Sequence, residues 1–170
     1  RKYHLTKIFL LIGLTFSLIV GGYLFYIAKT TNVADLQNAL KATTIIYDKD
    51  GNQAGSLTGQ KGTYVELDAI SENLQNAVVA TEDRSFYKNS GINYGRFFLA
   101  ILTAGRSGGG STITQQLAKN AYLSQDQTVE RKAKEFFLAL EINKKYSKKE
   151  ILTMYLNNAY FGNGVWGIED

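Results

Sequence analysis

The chain has 170 residues, with 19 lysines and arginines against 15 aspartates and glutamates, for a net charge of +4. It contains no cysteine and no proline, and its one histidine is His4, near the N-terminus. Disulfides, thiol nucleophiles, cysteine-rich zinc sites, a Ser-His-Asp triad and His-ligated zinc are thereby excluded from the folded part, and acid–base work falls to carboxylates, lysines and tyrosines.

The first element is an uncharged run from Ile8 to Ala28, IFLLIGLTFSLIVGGYLFYIA. At about 1.5 Å per residue it crosses a hydrocarbon core of about 30 Å. Tyr23 and Tyr26 lie near one end, where amphipathic rings favour the interface. The run is too long and too uniformly apolar for a buried core helix, and no A-x-A-like cleavage site follows it. Arg1, Lys2 and Lys7 precede it and only Lys29 follows closely, so the positive-inside rule puts the N-terminus in the cytoplasm and everything after Lys29 outside. The modest positive charge suits a phosphate or a membrane surface, and equally a solvated lysine surface. Without the anchor roughly 135 residues remain, enough for one domain with a core.

The expected organisation is a tail at 1–7, a transmembrane signal-anchor at 8–28, a linker at 29–42 and one domain at 43–170. Ile45 to Tyr47 are β-formers, Asp50-Gly51 is a hairpin turn signal, and Ala54 to Leu57 return as a second strand. A third short strand is expected at Thr63 to Leu67. Helices follow at Ser71–Tyr87, Tyr94–Ala104, Thr112–Tyr122, Thr128–Lys145 and Lys148–Tyr160. Ser147 and Glu150 make a capping box for the last, and Gly162 and Gly164 stop it. The fold class is mainly α, with a small N-terminal β element and one preceding transmembrane helix. The chain starts without methionine and stops at Gly-Ile-Glu-Asp, so it reads as a fragment.

On the helix from Ser71, Leu74, Ala77, Val78 and Thr81 share a face, with Glu82 at its edge between Val78 and Phe86 at i−4 and i+4. A carboxylate there is partly desolvated, the setting of a useful base. A helix-end carboxylate paired with a lysine reads the same way. Asp83 points about 100° away, better placed to orient a neighbour.

Arg106 to Asn120, RSGGGSTITQQLAKN, sets three glycines before a helix N-terminus carrying Ser111 and Thr112, where free N–H groups suit a phosphate. Thr112, Gln116 and Lys119 form a polar stripe fit for a sugar or pyrophosphate. The loop lacks the Walker A lysine spacing, and a plain loop before a surface helix remains the alternative.

On the helix from Thr128, Val129, Ala133, Phe136, Phe137 and Leu140 form one apolar face, and Leu138, Ala139 and Ile142 a second. Glu135 lies between them, with Arg131 as its i−4 partner. A purely structural Arg–Glu pair explains this placement as well as a functional one.

Three blocks then resemble one family: ATEDRSFYKNSGI at Ala80–Ile92, GGSTITQQLAKN at Gly109–Asn120, and RKAKEFFLALEINKKYSKKEILTMYLNNAYFGNGVWGI at Arg131–Ile168. They resemble the peptidoglycan glycosyltransferases of glycosyltransferase family 51, which form the N-terminal module of class A penicillin-binding proteins and also occur as monofunctional transglycosylases. The resemblance implies a lysozyme-like helical fold with a membrane-proximal lobe, truncated here at its C-terminal side. It implies lipid II as acceptor, a growing lipid-linked strand as donor, inversion at the anomeric carbon, and release of undecaprenyl pyrophosphate. Glu82 matches the general base. Glu135 matches a second essential glutamate, holding the donor side or a divalent cation such as Mg²⁺. Asp83, Phe86, Thr112, Gln116, Lys119 and Arg131 match substrate-contact positions. Asn89, Ser111, Asn120 and Lys132 join them from the same motifs, as do Tyr155 and Asn157 from the last. Lys119, Arg131 and Lys132 supply positive charge for the departing pyrophosphate. The implied partners are the membrane, the cell-wall synthesis machinery and moenomycin-type inhibitors, with no nucleic acid.

One position departs from the family pattern: Asn89 stands where the first motif usually has histidine. Three rivals are weighed against this reading. A lysozyme-type hydrolase would use Glu82 as acid. A β-lactam-binding transpeptidase is hinted at only by Ser85-Phe-Tyr-Lys88, with no S-D-N or K-T-G beside it. A membrane-tethered scaffold would bind partners through its helices.

Overall fold

A computed structural model describes residues 2–31, 33, 36–41, 43–58, 63–103, 110–123 and 128–168. It is mainly helical, with two small antiparallel sheets. Helix α1 spans Lys2–Thr30, and within its stretch Thr6–Thr30 the most apolar 18 residues have a mean hydropathy of 2.3, so it is long and apolar enough to cross a membrane. Its apolar side chains from Ile8 to Phe25 are exposed, whereas Ile27 is buried against the domain. Only the C-terminal end of the anchor therefore packs on protein.

After the short helix α2 (Leu36–Lys41), β1 (Thr43–Tyr47) pairs with β2 (Gln53–Thr58) in the expected hairpin. Asp48 makes the turn. Its Oδ1 accepts the N–H groups of Asp50 at 2.8 Å and Asn52 at 2.9 Å, and Gly51 takes φ +83°. No third strand forms at Thr63–Leu67. Residues 63–66 are irregular and lead into a 3₁₀ turn at Leu67–Ala69. The backbone of Val65 is satisfied by a side chain instead. Its N–H donates to Asn157 Oδ1 and its carbonyl accepts from Asn157 Nδ2, both at 2.8 Å. That amide plays the part of a neighbouring strand, which β-propensity alone does not reveal.

Helix α3 runs Glu72–Glu82, capped by Ser71, and stops five residues before the expected end at Tyr87. Asp83 breaks it: at φ −154°, its Oδ1 accepts the N–H of Ser85 at 3.1 Å and the Ser85 hydroxyl at 2.8 Å. An aspartate that bonds the backbone two residues on competes with helical continuation. Phe86 is thus not one turn beyond Glu82 on a helix. It lies in the following loop and is fully buried.

The remaining helices are α4 (Tyr94–Leu102), α5 (Ile113–Tyr122), α6 (Val129–Lys145) and α7 (Lys148–Asn158). The Ser147–Glu150 capping box forms as expected, and Thr112 with Gln115 makes another at the start of α5. Helix α7 is the centre of the domain, with Ile151 to Asn157 buried without interruption. It packs on α2, α5, α6 and the 3₁₀ turn. After α7 comes an unexpected hairpin, β3 (Tyr160–Gly162) with β4 (Val165–Trp166). Its signal was present: Gly162-Asn163-Gly164, all at positive φ, sits between aromatic and β-branched residues.

Gly91 closes the loop between α3 and α4. It has φ +94°, and a Cβ there would lie 2.6 Å from the Ala139 carbonyl oxygen. Gly91→Ala is expected to cost about 2–4 kcal/mol through left-handed strain plus overpacking, read as a drop in melting temperature.

Candidate active site

Glu82 is the last residue of α3 and is half-buried. Its Oε2 accepts from Gln116 Nε2 at 2.7 Å, and Gln116 Oε1 accepts from the Tyr155 hydroxyl at 3.0 Å. Tyr155 fixes which way the Gln116 amide faces, so the NH₂ end points at Glu82. Burial, and then the Glu82 charge, push the Tyr155 phenol up to about 12, so it remains a donor at neutral pH. Glu82 opens onto a groove of about 300 Å³, walled by Ala77 and Val78 on one side and Tyr160 and Phe161 on the other.

Asp83 faces inward and is 1% exposed. Its Oδ2 accepts from Asn89 Nδ2 at 2.9 Å and from the Ile113 N–H at 3.4 Å, so it ties the loop after α3 to the N-terminus of α5. The Thr112 hydroxyl strengthens that tie by donating to the Gly91 carbonyl at 2.6 Å while accepting the Gln115 N–H at 3.1 Å. The position of Glu82 over Gln116 follows from this clamp.

Asn89 lies within the clamp. Its Oδ1 accepts from the Gly91 N–H at 2.9 Å and from Lys148 Nζ at 3.1 Å, while its Nδ2 serves Asp83 and Ser85. A neutral imidazole has one acceptor and one donor and cannot fill all four contacts. The amide in place of histidine therefore belongs to a network that includes a lysine ammonium. Lys148 also sits 4.7 Å from the centre of the Phe86 ring. Burial lowers its pKa, against the opposing pull of Asp83.

Glu135 is 1% exposed. Oε2 accepts from Arg131 Nη1 at 2.9 Å and Oε1 from Lys132 Nζ. Lys132 Nζ also donates to Ser111 Oγ at 2.8 Å. The two carboxylates thus converge on one helix: Glu82 through Gln116 in α5, and Glu135 through Lys132 to Ser111, just before its cap.

Several expected site residues lie inside. Asp83, Phe86, Thr112 and Asn157 are buried and committed to the frame, with Asn157 holding Val65 and the Thr153 carbonyl. Gln116, Lys119 and Asn120 are partly accessible on α5, as are Ser111, Arg131 and Lys132 around Glu135. Arg106 to Gly109 of the glycine loop lie outside the described residues. Lys148, Ser85, and the groove wall of Tyr160 and Phe161 were not anticipated. Lys148 reads as one more surface lysine beside a cap, and only the fold shows what it covers.

The residues around Glu135 do not fit a protein-held divalent metal. Each carboxylate oxygen already faces a cation, and among the described residues no group of three or more His, Cys, Asp or Glu could hold an ion.

The family model described as Transglycosylase matches residues 50–170. Penicillin-binding protein 2a of Streptococcus pneumoniae serotype 2 is 79% identical over 170 residues, which is 100% of this chain and 23% of that protein. Penicillin-binding protein 1A of Aquifex aeolicus is 40% identical over 168 residues, and penicillin-binding protein 1F of Bacillus subtilis 39% over 165, each match covering 94% of this chain and 23% of the relative. The chain therefore spans about a quarter of the length of these relatives. With the family model covering most of the chain and the three motifs set around one helix, the chain belongs to the transglycosylase family, the peptidoglycan glycosyltransferases of family 51.

Proposed function

We propose that this domain polymerises lipid II into β-1,4-linked glycan strands at the outer face of the cell membrane, with Glu82 as general base. The observation that carries the reading is the pairing on α5: an accessible carboxylate held by Gln116 at one place, and a carboxylate–cation cluster reaching Ser111 at the other.

Glu82 takes the proton from the 4-hydroxyl of the acceptor sugar. The freed oxygen forms a bond to the donor anomeric carbon from the face opposite the leaving group, so the configuration inverts. The carbon–oxygen bond to the pyrophosphate breaks, and its electron pair leaves with undecaprenyl pyrophosphate. Arg131 and Lys132, held in place by Glu135, oppose the growing negative charge, and Lys119 adds to the field along α5. A divalent cation such as Mg²⁺ belongs, on this reading, to the substrate's pyrophosphate. The anchor α1 keeps the site beside a substrate that cannot leave the bilayer, and the excess of basic residues before the apolar span supports a cytoplasmic N-terminus on this reading.

The test is incubation of the membrane-embedded protein with lipid II and, separately, with preformed glycan strands. Polymer from the first and no cleavage of the second is the expected result. Cleavage without polymer would establish a hydrolase instead.

A further inference from the structure

Lys148 is the first residue of α7. Two effects oppose an ammonium there. The helix dipole disfavours a cation at an N-terminus, and burial lowers the pKa of this side chain. A solvated lysine escapes the second, and Arg84 and Lys88, on the loop that Lys148 meets, are indeed exposed. Lys148 instead lies half-buried, 4.7 Å from the centre of the Phe86 ring, and donates to Asn89 Oδ1 at 3.1 Å. The anion that acts on it is Asp83, a carboxylate 1% exposed. Asp83 accepts the N–H and hydroxyl of Ser85, the Ile113 N–H and Asn89 Nδ2, and among the described residues no lysine or arginine bonds it directly. The Asn89 amide thus stands between a buried anion and a half-buried cation, its NH₂ turned to one and its carbonyl to the other. A buried charge without a counter-charge is costly, and here the two charges are joined through one neutral side chain.

We infer that Lys148 is a positioning residue of the active site: through Asn89 its ammonium serves as the counter-charge of Asp83, and it thereby fixes the end of α3 and the direction of Glu82. Asp83 ends α3 directly after Glu82, so slackening its bonds frees the carboxylate that meets Gln116. The effect of Lys148 on rate rests on the proposed function, whereas its effect on the loop around Asp83 does not.

Three variants separate charge, stem and relay. Lys148→Met keeps a long stem over Phe86 and removes the charge, Lys148→Arg keeps the charge, and Asn89→Leu cuts the relay while leaving Lys148 in place. Hydrogen exchange on the membrane-embedded full chain reads the clamp without substrate. Lys148→Met and Asn89→Leu are each expected to speed exchange about fivefold or more over residues 83–93 and 111–113, with the buried stretch of α7 from Ile151 to Asn157 unchanged. Polymerisation of lipid II then reads Glu82. Both variants should lower kcat about tenfold with KM within about threefold of wild type, and Lys148→Arg should keep kcat within about threefold. Because Lys148 acts through Asn89, the double variant Lys148→Met/Asn89→Leu should be no slower than the slower single one. Wild-type exchange in Lys148→Met, exchange that rises evenly over the whole domain, losses in kcat that multiply in the double variant, or an arginine variant as slow as the methionine one each overturns the inference. If Lys148→Met does not fold, Asn89→Leu decides alone: local exchange with a fall in kcat at constant KM supports the inference, and wild-type behaviour overturns it. Wild-type protein that forms no polymer while the exchange pattern holds would overturn the functional reading and leave the pairing of Lys148 with Asp83 standing.

Discussion

Glu82→Gln is expected to reduce glycan polymerisation by a factor on the order of 10³ or more, with the KM for lipid II within about threefold of wild type. The substitution keeps the shape of the side chain. It also keeps a bond to Gln116, because the new amide oxygen can still accept from Nε2. What disappears is the ability to take a proton from a sugar hydroxyl, and no described neighbour replaces it. Tyr155, one step along the chain of hydrogen bonds, is held protonated by burial and by the charge of Glu82 itself. Because Glu82 is half-buried at an open groove, the melting temperature should barely move. Steady-state polymerisation of lipid II beside thermal unfolding separates the two effects, and a variant that retains its activity would remove Glu82 from the chemistry.

Glu135→Gln should behave differently. Here the carboxylate is buried and each oxygen meets a cation, so removing its charge leaves Arg131 and Lys132 without their counter-ion. Breaking a fully buried pair costs about 3–5 kcal/mol. The Arg131 side chain is 14% exposed but that of Lys132 is 42% exposed, so solvent relieves part of the penalty. A loss of about 2–4 kcal/mol in stability follows. Activity should fall by about 10²-fold as well, because the two cations lose the bonds that aim them. The paired signature is the test: Glu135→Gln lowers both melting temperature and rate, whereas Glu82→Gln lowers rate alone. A Glu135→Gln protein that melts like the wild type would show that the carboxylate is not the buried counter-ion described here.

Most of the fold could be read from the sequence because it is carried by periodicity. The two faces of α6 placed Glu135 between them, and the structure buries it there beside Arg131. The anchor and the Ser147–Glu150 cap follow from equally local rules. Two of the misses, at the end of α3 and at Val65, share one physical origin: a side chain took over a backbone's partner. Asp83 ended α3 by bonding Ser85, and Asn157 held Val65 where a strand was expected. Such bonds reach from 2 to 92 residues along the chain and leave no mark on hydrophobic spacing. The same limit applies to the site. Motif positions identified Thr112 and Asn157 as contacts for a ligand, but their hydroxyl and amide groups are spent on Gly91, Gln115, Val65 and Thr153. Lys148 escaped notice because a lysine at a helix start is ordinarily solvated, and only the arrival of Asn89 and Phe86 above it makes it part of the clamp.

The central claim is that Glu82 acts on the acceptor hydroxyl while the Glu135 cluster orders the donor end. Single-turnover bond formation on the membrane-embedded protein, with bound lipid II quantified in the same samples, tests it most directly. The account predicts that Glu82→Gln retains wild-type amounts of bound lipid II yet forms almost no new glycosidic bonds. Bond formation within tenfold of wild type by folded Glu82→Gln protein would contradict it.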